Sequence, residues 1–226
     1  MIVSSLPSRA SPPSPSSMTI TIFLLTQVHN AAAVAVTQGH YEESLNVLES
    51  VILETKQLLS RVVVAEPIQA PKVSPLYDDA CYHTQSSVFL CPFVLQENPV
   101  RTHPGPLLAV VFFNVAVAHH GKAFFCSGEE EQRDYLARAR GCYEYAKDLL
   151  DEDPDVFDPD EDFLYVYLAL CHNIADLERQ LRTGQANVWR EAMEDSFLTV
   201  TPDESSPLYR YFERATNPER MEVHRS

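Results

Sequence analysis

The tetrapeptide HNIA at residues 172–175 places a histidine inside an apolar run, where it could act as a catalytic base or a metal ligand. The same pattern recurs as HNAA at residues 29–32 and as FNVA at residues 113–116. Phenylalanine stands where the second copy would need a histidine, so a site built on imidazole would not recur at all three places. We therefore interpret His172 as a packing or groove-lining residue.

The remaining motifs of enzyme chemistry are weak or missing. His119 and His120 are adjacent, and adjacent residues of a helix face different directions, whereas a helical metal pair needs a spacing of three or four. The chain has no phosphate-binding loop, no GxSxG and no HExxH motif. The sequence thus predicts no catalytic residues, no cofactor and no metal, although an enzyme with an unrecognised site on a helical fold stays open as an alternative.

Residues 151–162 form an acidic stretch with the outline of a calcium loop. Aspartates occupy loop positions 1, 3, 5 and 12, at Asp151, Asp153, Asp155 and Asp162. Valine replaces the required glycine, two prolines stiffen the loop, and the last ligand is Asp where Glu is usual. We predict a solvated linker, and a calcium-responsive helical regulator is the weaker alternative.

Composition limits the partners that the chain can have. Its formal net charge of −15 over 226 residues opposes binding to nucleic acid and to anionic membranes, and it favours a basic protein or peptide. The five cysteines form no CxxC pair, which is typical of thiols in a reducing compartment. Polar residues interrupt the apolar stretch 18–36. We expect a soluble protein in the cytoplasm or the nucleus, and the oligomeric state stays open.

Apolar spacings of three and four predict an all-α fold between flexible ends. Residues 1–17, rich in Ser and Pro, are predicted to be disordered, followed by a helical domain over 18–200 and a tail over 201–226. Within residues 66–106, which hold seven prolines, we expect an irregular insertion with an extended segment at 86–96 laid over the helices. The expected helices are a pair at 20–60 split by Gly39, then 105–125, 135–150, 163–184, 185–200 and a short one at 208–215.

The best repeated unit, residues 30–52, resembles the tetratricopeptide-repeat family. Its matching positions are the small Ala32, Gly39 at the turn, Tyr41, Ser44, Leu48 and Val51. The second helix of the next unit carries Ala139, Tyr143 and Ala146 in similar places. The repeated asparagines lie 84 and 59 residues apart, well beyond the family's repeat of about 34 residues, so the array is divergent.

The resemblance implies a right-handed superhelix of stacked α-hairpins that acts as a non-enzymatic protein-interaction scaffold. In the family, the first helix of each pair lines a concave groove for a polypeptide. The groove residues that follow from this are His29, Ala33, Phe113, Val117, His120, His172 and Asp176. The repeated asparagine is expected to bond across to the next backbone or to another asparagine.

Overall fold

The computed structural model describes residues 15–61, 72–76, 88–96, 104–152 and 161–216, and these residues are mainly helical. The all-α class predicted from the sequence is confirmed at this level. The seven described helices are α1 (Pro15–Thr37), α2 (Tyr41–Leu59), α3 (Pro104–Ala123), α4 (Glu129–Glu152), α5 (Glu161–Gln180), α6 (Ala186–Phe197) and α7 (Pro207–Thr216).

Consecutive helices pack as pairs, α1 with α2, α3 with α4 and α5 with α6. The first turn depends on Gly39, whose φ of +80° lies in the left-handed region that glycine adopts without steric cost. The N–H groups of Gly39 and His40 close the end of α1 on the carbonyls of Val36 and Ala35. This is the helix-ending motif that glycine favours, and it reverses the chain as the sequence predicts.

The turn after α5 has the same hydrogen bonds with a different residue at its centre. The N–H groups of Arg182 and Thr183 bond to the carbonyls of Arg179 and Glu178, and Arg182 itself has a φ of 56°. The helix therefore ends at Gln180, four residues before Gly184, where the sequence predicts the end. Glycine is not the residue that stops this helix.

Helix α3 lies at the centre of the core and packs against α2, α4, α1 and α5. Its residues are buried on nearly every side, and the first charged side chain after Pro104 is Lys122. A helix that is apolar all round is stable only when other elements surround it. At its end the ring of Tyr41 lies so close to Gly121 that a Cβ there would sit 2.8 Å from it.

The insertion is more regular than predicted where it is described. Strand β1 (Val73–Pro75) pairs antiparallel with β2 (Phe93–Leu95), with Ser74 opposite Val94. Residues 88–96, called the groove segment below, run without helix, as predicted for 86–96. Helix α3 begins at Pro104, so residues 104–106 do not belong to the insertion.

The N-terminal boundary of the first helix differs from the prediction, whereas the C-terminal helix agrees with it. Helix α1 begins at Pro15, so residues 15–17 are helical and the prediction of disorder is wrong for them, while residues 1–14 lie outside the described part. The short C-terminal helix is present as α7, and its Phe212 is fully buried. Thr19–Thr37 of α1, at a mean hydropathy of 1.5, meets the length and composition of a membrane span, a test that core helices also pass.

Candidate functional site

Three asparagines on the first helices of the pairs hold the backbone of the groove segment, and we call them the asparagine clamp. Each side-chain amide makes two hydrogen bonds to one residue: its oxygen accepts the N–H and its nitrogen donates to the C=O. Asn173 binds Phe89 at 2.8 and 2.8 Å. Asn114 binds Phe93 at 2.9 and 2.7 Å, and Asn30 binds Leu95 at 3.1 and 2.8 Å.

The clamp occupies one edge of the groove segment, and β1 occupies the other. The N–H of Leu76 donates to Pro92 and the N–H of Gln96 donates to Lys72, so the backbone of the even-numbered residues faces β1. The odd-numbered Phe93 and Leu95 present their N–H and C=O on the opposite edge. The asparagine amides thus take the place of a neighbouring strand, one amide for each backbone residue that they satisfy.

His29 orients the middle amide of the clamp. Its Nε2 lies 2.8 Å from Nδ2 of Asn114, a nitrogen that can only donate, so Nε2 is an acceptor and carries no proton. The proton is on Nδ1, which lies 3.1 Å from the Oδ1 of Asn30. Burial lowers the pKa of His29 from 6.5 to about 4, with the bond to Asn30 opposing this fall, so the ring is neutral at pH 7.

Tyr143 makes a similar hydrogen bond to the amide at the other end of the clamp. The second N–H of Asn173 donates to the Tyr143 hydroxyl at 2.9 Å, and both residues are fully buried. Burial raises the pKa of Tyr143 well above its usual value. The neutral hydroxyl accepts this bond, while the N–H and C=O of Phe89 fix which way the Asn173 amide is turned, because a hydroxyl can donate as well as accept.

Apolar side chains of the groove segment fill pockets beside the clamp. The Phe89 ring lies 5.2 Å from that of Tyr211 and 5.6 Å from that of Phe212, both on α7. The Phe93 ring meets the Phe113 ring edge to face at 5.1 Å. Leu95 is also buried. These contacts remove large apolar surfaces from water, which stabilises the packed position of the segment.

The seven predicted groove residues lie on these first helices, but they do not form an open surface in this structure. Only His172 is partly exposed, and the other six are buried: His29, Ala33, Phe113, Val117, His120 and Asp176. His29 and Phe113 contact the clamp and the groove segment directly. The chain itself covers the surface that the sequence predicts for a partner.

The other two histidines of this set have structural partners. The Tyr211 hydroxyl lies 3.0 Å from Nε2 of His172, which packs edge to face against the Tyr211 ring. His120 lies 3.9 Å from Asp176 and 3.4 Å from Gln180, and burial lowers its pKa from 6.5 to about 4 despite that carboxylate. Packing, the role expected for His172, accounts for its position.

Among the described residues, no three His, Cys, Asp or Glu side chains are grouped to hold a metal ion. Most of the acidic stretch, residues 153–160, lies outside the described part. The asparagines of the clamp are absent from the predicted site set, although the repeated pattern contains them. Their expected bond to a backbone is present, but it reaches the groove segment and not the next helix.

Comparisons of the chain with protein-family models, curated proteins and solved structures gave no match.

Proposed function

We propose that this protein is a non-enzymatic interaction scaffold, a divergent tetratricopeptide-like stack of helical pairs whose concave groove binds an extended polypeptide. The observation that carries the proposal is the asparagine clamp. Three amides on the first helices of successive pairs each satisfy the N–H and C=O of one residue of an extended chain. Hydrogen bonds to the main chain are available from any peptide, so such a groove accepts many sequences.

The orientation of the clamp supports binding as its role. An amide that holds a backbone must have its oxygen and nitrogen turned the right way before the peptide arrives. His29 contacts the amides of Asn30 and Asn114, and Tyr143 contacts that of Asn173, so all three amides have a second partner. A pre-oriented amide loses less conformational entropy on binding, which raises affinity.

Net charge supports a basic partner. The chain carries 32 acidic and 17 basic residues, so a positively charged polypeptide is drawn toward it at long range. Such steering acts on the association rate and weakens with added salt. The buried contacts of the groove then set the dissociation rate.

An array of extended peptides, probed with the full-length protein, tests the proposal. We expect Asn114→Ala to weaken capture at least about tenfold when it is made in Leu95→Ala protein, because the bound residue loses two hydrogen bonds in a buried place. The Leu95→Ala background weakens the groove segment, which in the wild type would lose the same bonds and mask the change. Asn46→Ala in the same background, at an exposed asparagine on α2, is the matched control and should capture like Leu95→Ala alone. Circular dichroism must show that each variant is folded.

The proposal is wrong if folded Asn114→Ala, made in Leu95→Ala protein, captures every peptide at the level of Leu95→Ala alone. If that variant does not fold, Asn30→Ala replaces it, since Asn30 is only partly buried and holds the end of the segment. Equal capture by Asn30→Ala and Asn46→Ala would count against the groove as the binding surface.

A further inference from the structure

The geometry of the groove segment points to the sequence of the partner. We infer that the groove prefers an extended peptide with large apolar side chains at three positions spaced like Phe89, Phe93 and Leu95. Such a peptide competes with the chain's own residues 88–96. The inference rests on the proposed function, and it adds specificity to a site that main-chain contacts alone would leave unselective.

The clamp sets the register of a bound chain. The clamp fixes three backbone residues, 89, 93 and 95, so a bound chain must place three residues with this same spacing at the three amides. In an extended chain these residues have the same parity, so their backbone groups face the same edge. A shift by one residue would turn the backbone toward β1 and away from the clamp.

The side chains at this register supply the selectivity. Phe89, Phe93 and Leu95 are almost completely buried, while Leu90 and Val94 are only partly so. Phe89 fills a pocket closed by α7, and Phe93 fills one closed by Phe113. Fully desolvated aromatic residues of this kind carry most of the energy of an interface, and partly exposed neighbours carry little.

Competition follows from the covalent attachment of the groove segment. A tethered ligand acts at an effective concentration in the millimolar range, so a free peptide of equal affinity binds the wild type weakly. Weakening the tethered copy must therefore expose the groove. Leu95 is the suitable position, because it lies at the partly buried end of the clamp, beside Asn30.

The test uses the full-length protein and a fluorescent nine-residue peptide, VFLCPFVLQ, with the sequence of residues 88–96, measured by anisotropy in reducing buffer. We expect Leu95→Ala protein to bind this peptide at least about tenfold more tightly than the wild type. Peptides with alanine in place of Phe89 or Phe93 should lose at least about tenfold, and those with alanine in place of Leu90 or Val94 less than about threefold.

Three outcomes separate the two proposals. If unrelated extended peptides bind as tightly as VFLCPFVLQ, and Asn114→Ala abolishes both, the groove binds polypeptide but the preferred pattern is wrong. If the Phe89 and Leu90 replacements have equal effects, the register is wrong. If no peptide binds wild type, Leu95→Ala or a second weakened variant, Val94→Asp, then both proposals fall and the groove segment is a permanent part of the fold.

Discussion

The two ends of the asparagine clamp hold the groove segment in the same way but in different surroundings. Asn173 is fully buried, has Tyr143 behind it and binds a residue sealed by α7. Asn30 is partly exposed and lies on α1, the first described helix. Loss of a fully buried amide leaves the N–H and C=O that it bonded without hydrogen-bond partners. At a partly exposed amide, water can bond to these groups instead. The clamp is therefore strong at the third pair and weaker at the first.

Asn173→Ala should have the largest effect. It leaves the N–H and the C=O of Phe89 without partners in a buried place, and each such group costs about 1–3 kcal/mol, so we expect a loss of about 2–6 kcal/mol in the free energy of unfolding. Urea denaturation at pH 7 measures it. A loss below about 1 kcal/mol would mean that water or a shifted backbone takes the place of the amide.

Acid should act through His29, which supports the middle of the clamp. Its pKa is lowered from 6.5 to about 4, so below pH 6.5 the unfolded chain takes up a proton that the native ring refuses. Stability is therefore full above pH 6.5 and is lost as the pH falls toward 4, by about 3 kcal/mol for this residue.

His29→Gln provides the comparison for acid, since burial lowers the pKa values of His119 and His120 as well. The two histidines remain in the variant, so the difference between the urea stabilities of wild type and variant should shrink as the pH falls from 7 to 4. A difference that stays constant over this range would exclude His29 as the source.

Asn30→Ala should cost about 1 kcal/mol, clearly less than Asn173→Ala. Both amides make two bonds to the segment, and the partly exposed position of Asn30 lets water satisfy part of what is lost. Urea denaturation of the two variants in parallel measures the contrast. Equal losses in the free energy of unfolding for the two variants would show that the clamp is equally strong at both ends.

The smallest effect is expected for Val94→Thr, at about 0.5 kcal/mol. Val94 belongs to the even-numbered residues of the segment, is only partly buried, and pairs through its backbone with Ser74 of β1. Threonine keeps the branched shape and leaves the backbone unchanged. Thermal unfolding followed by circular dichroism would show it, and a loss above about 2 kcal/mol would place this side chain in the core.

The helices could be predicted from the sequence because the patterns that indicate them lie within each helix. The apolar runs around Phe113 and His172 predict α3 and α5, and Gly39 marks a turn that its left-handed backbone requires. The start of α1 and the end of α5 were harder to predict. Arg182 takes a backbone conformation that its residue type does not announce, so Gly184 indicates the wrong boundary.

Only part of the clamp could be predicted from the sequence. The repeated asparagine is visible in the sequence, and its bond to a backbone could be expected because a buried amide needs partners. Its partner could not be identified, since nothing local to Asn173 indicates Phe89. For the same reason the sequence predicts an open groove at Phe113 and His29, whereas both side chains are buried in the structure.

The clamp also bears on the order in which the molecule folds. Its bonds join residues 84, 21 and 65 positions apart, whereas each helical pair closes over a short turn. Closing long loops costs chain entropy before any contact repays it, so local hairpins form early and distant contacts form late. We therefore expect helical structure to develop in a faster kinetic phase, and the amide protons of Phe89, Phe93 and Leu95 to gain protection from exchange only in the final one.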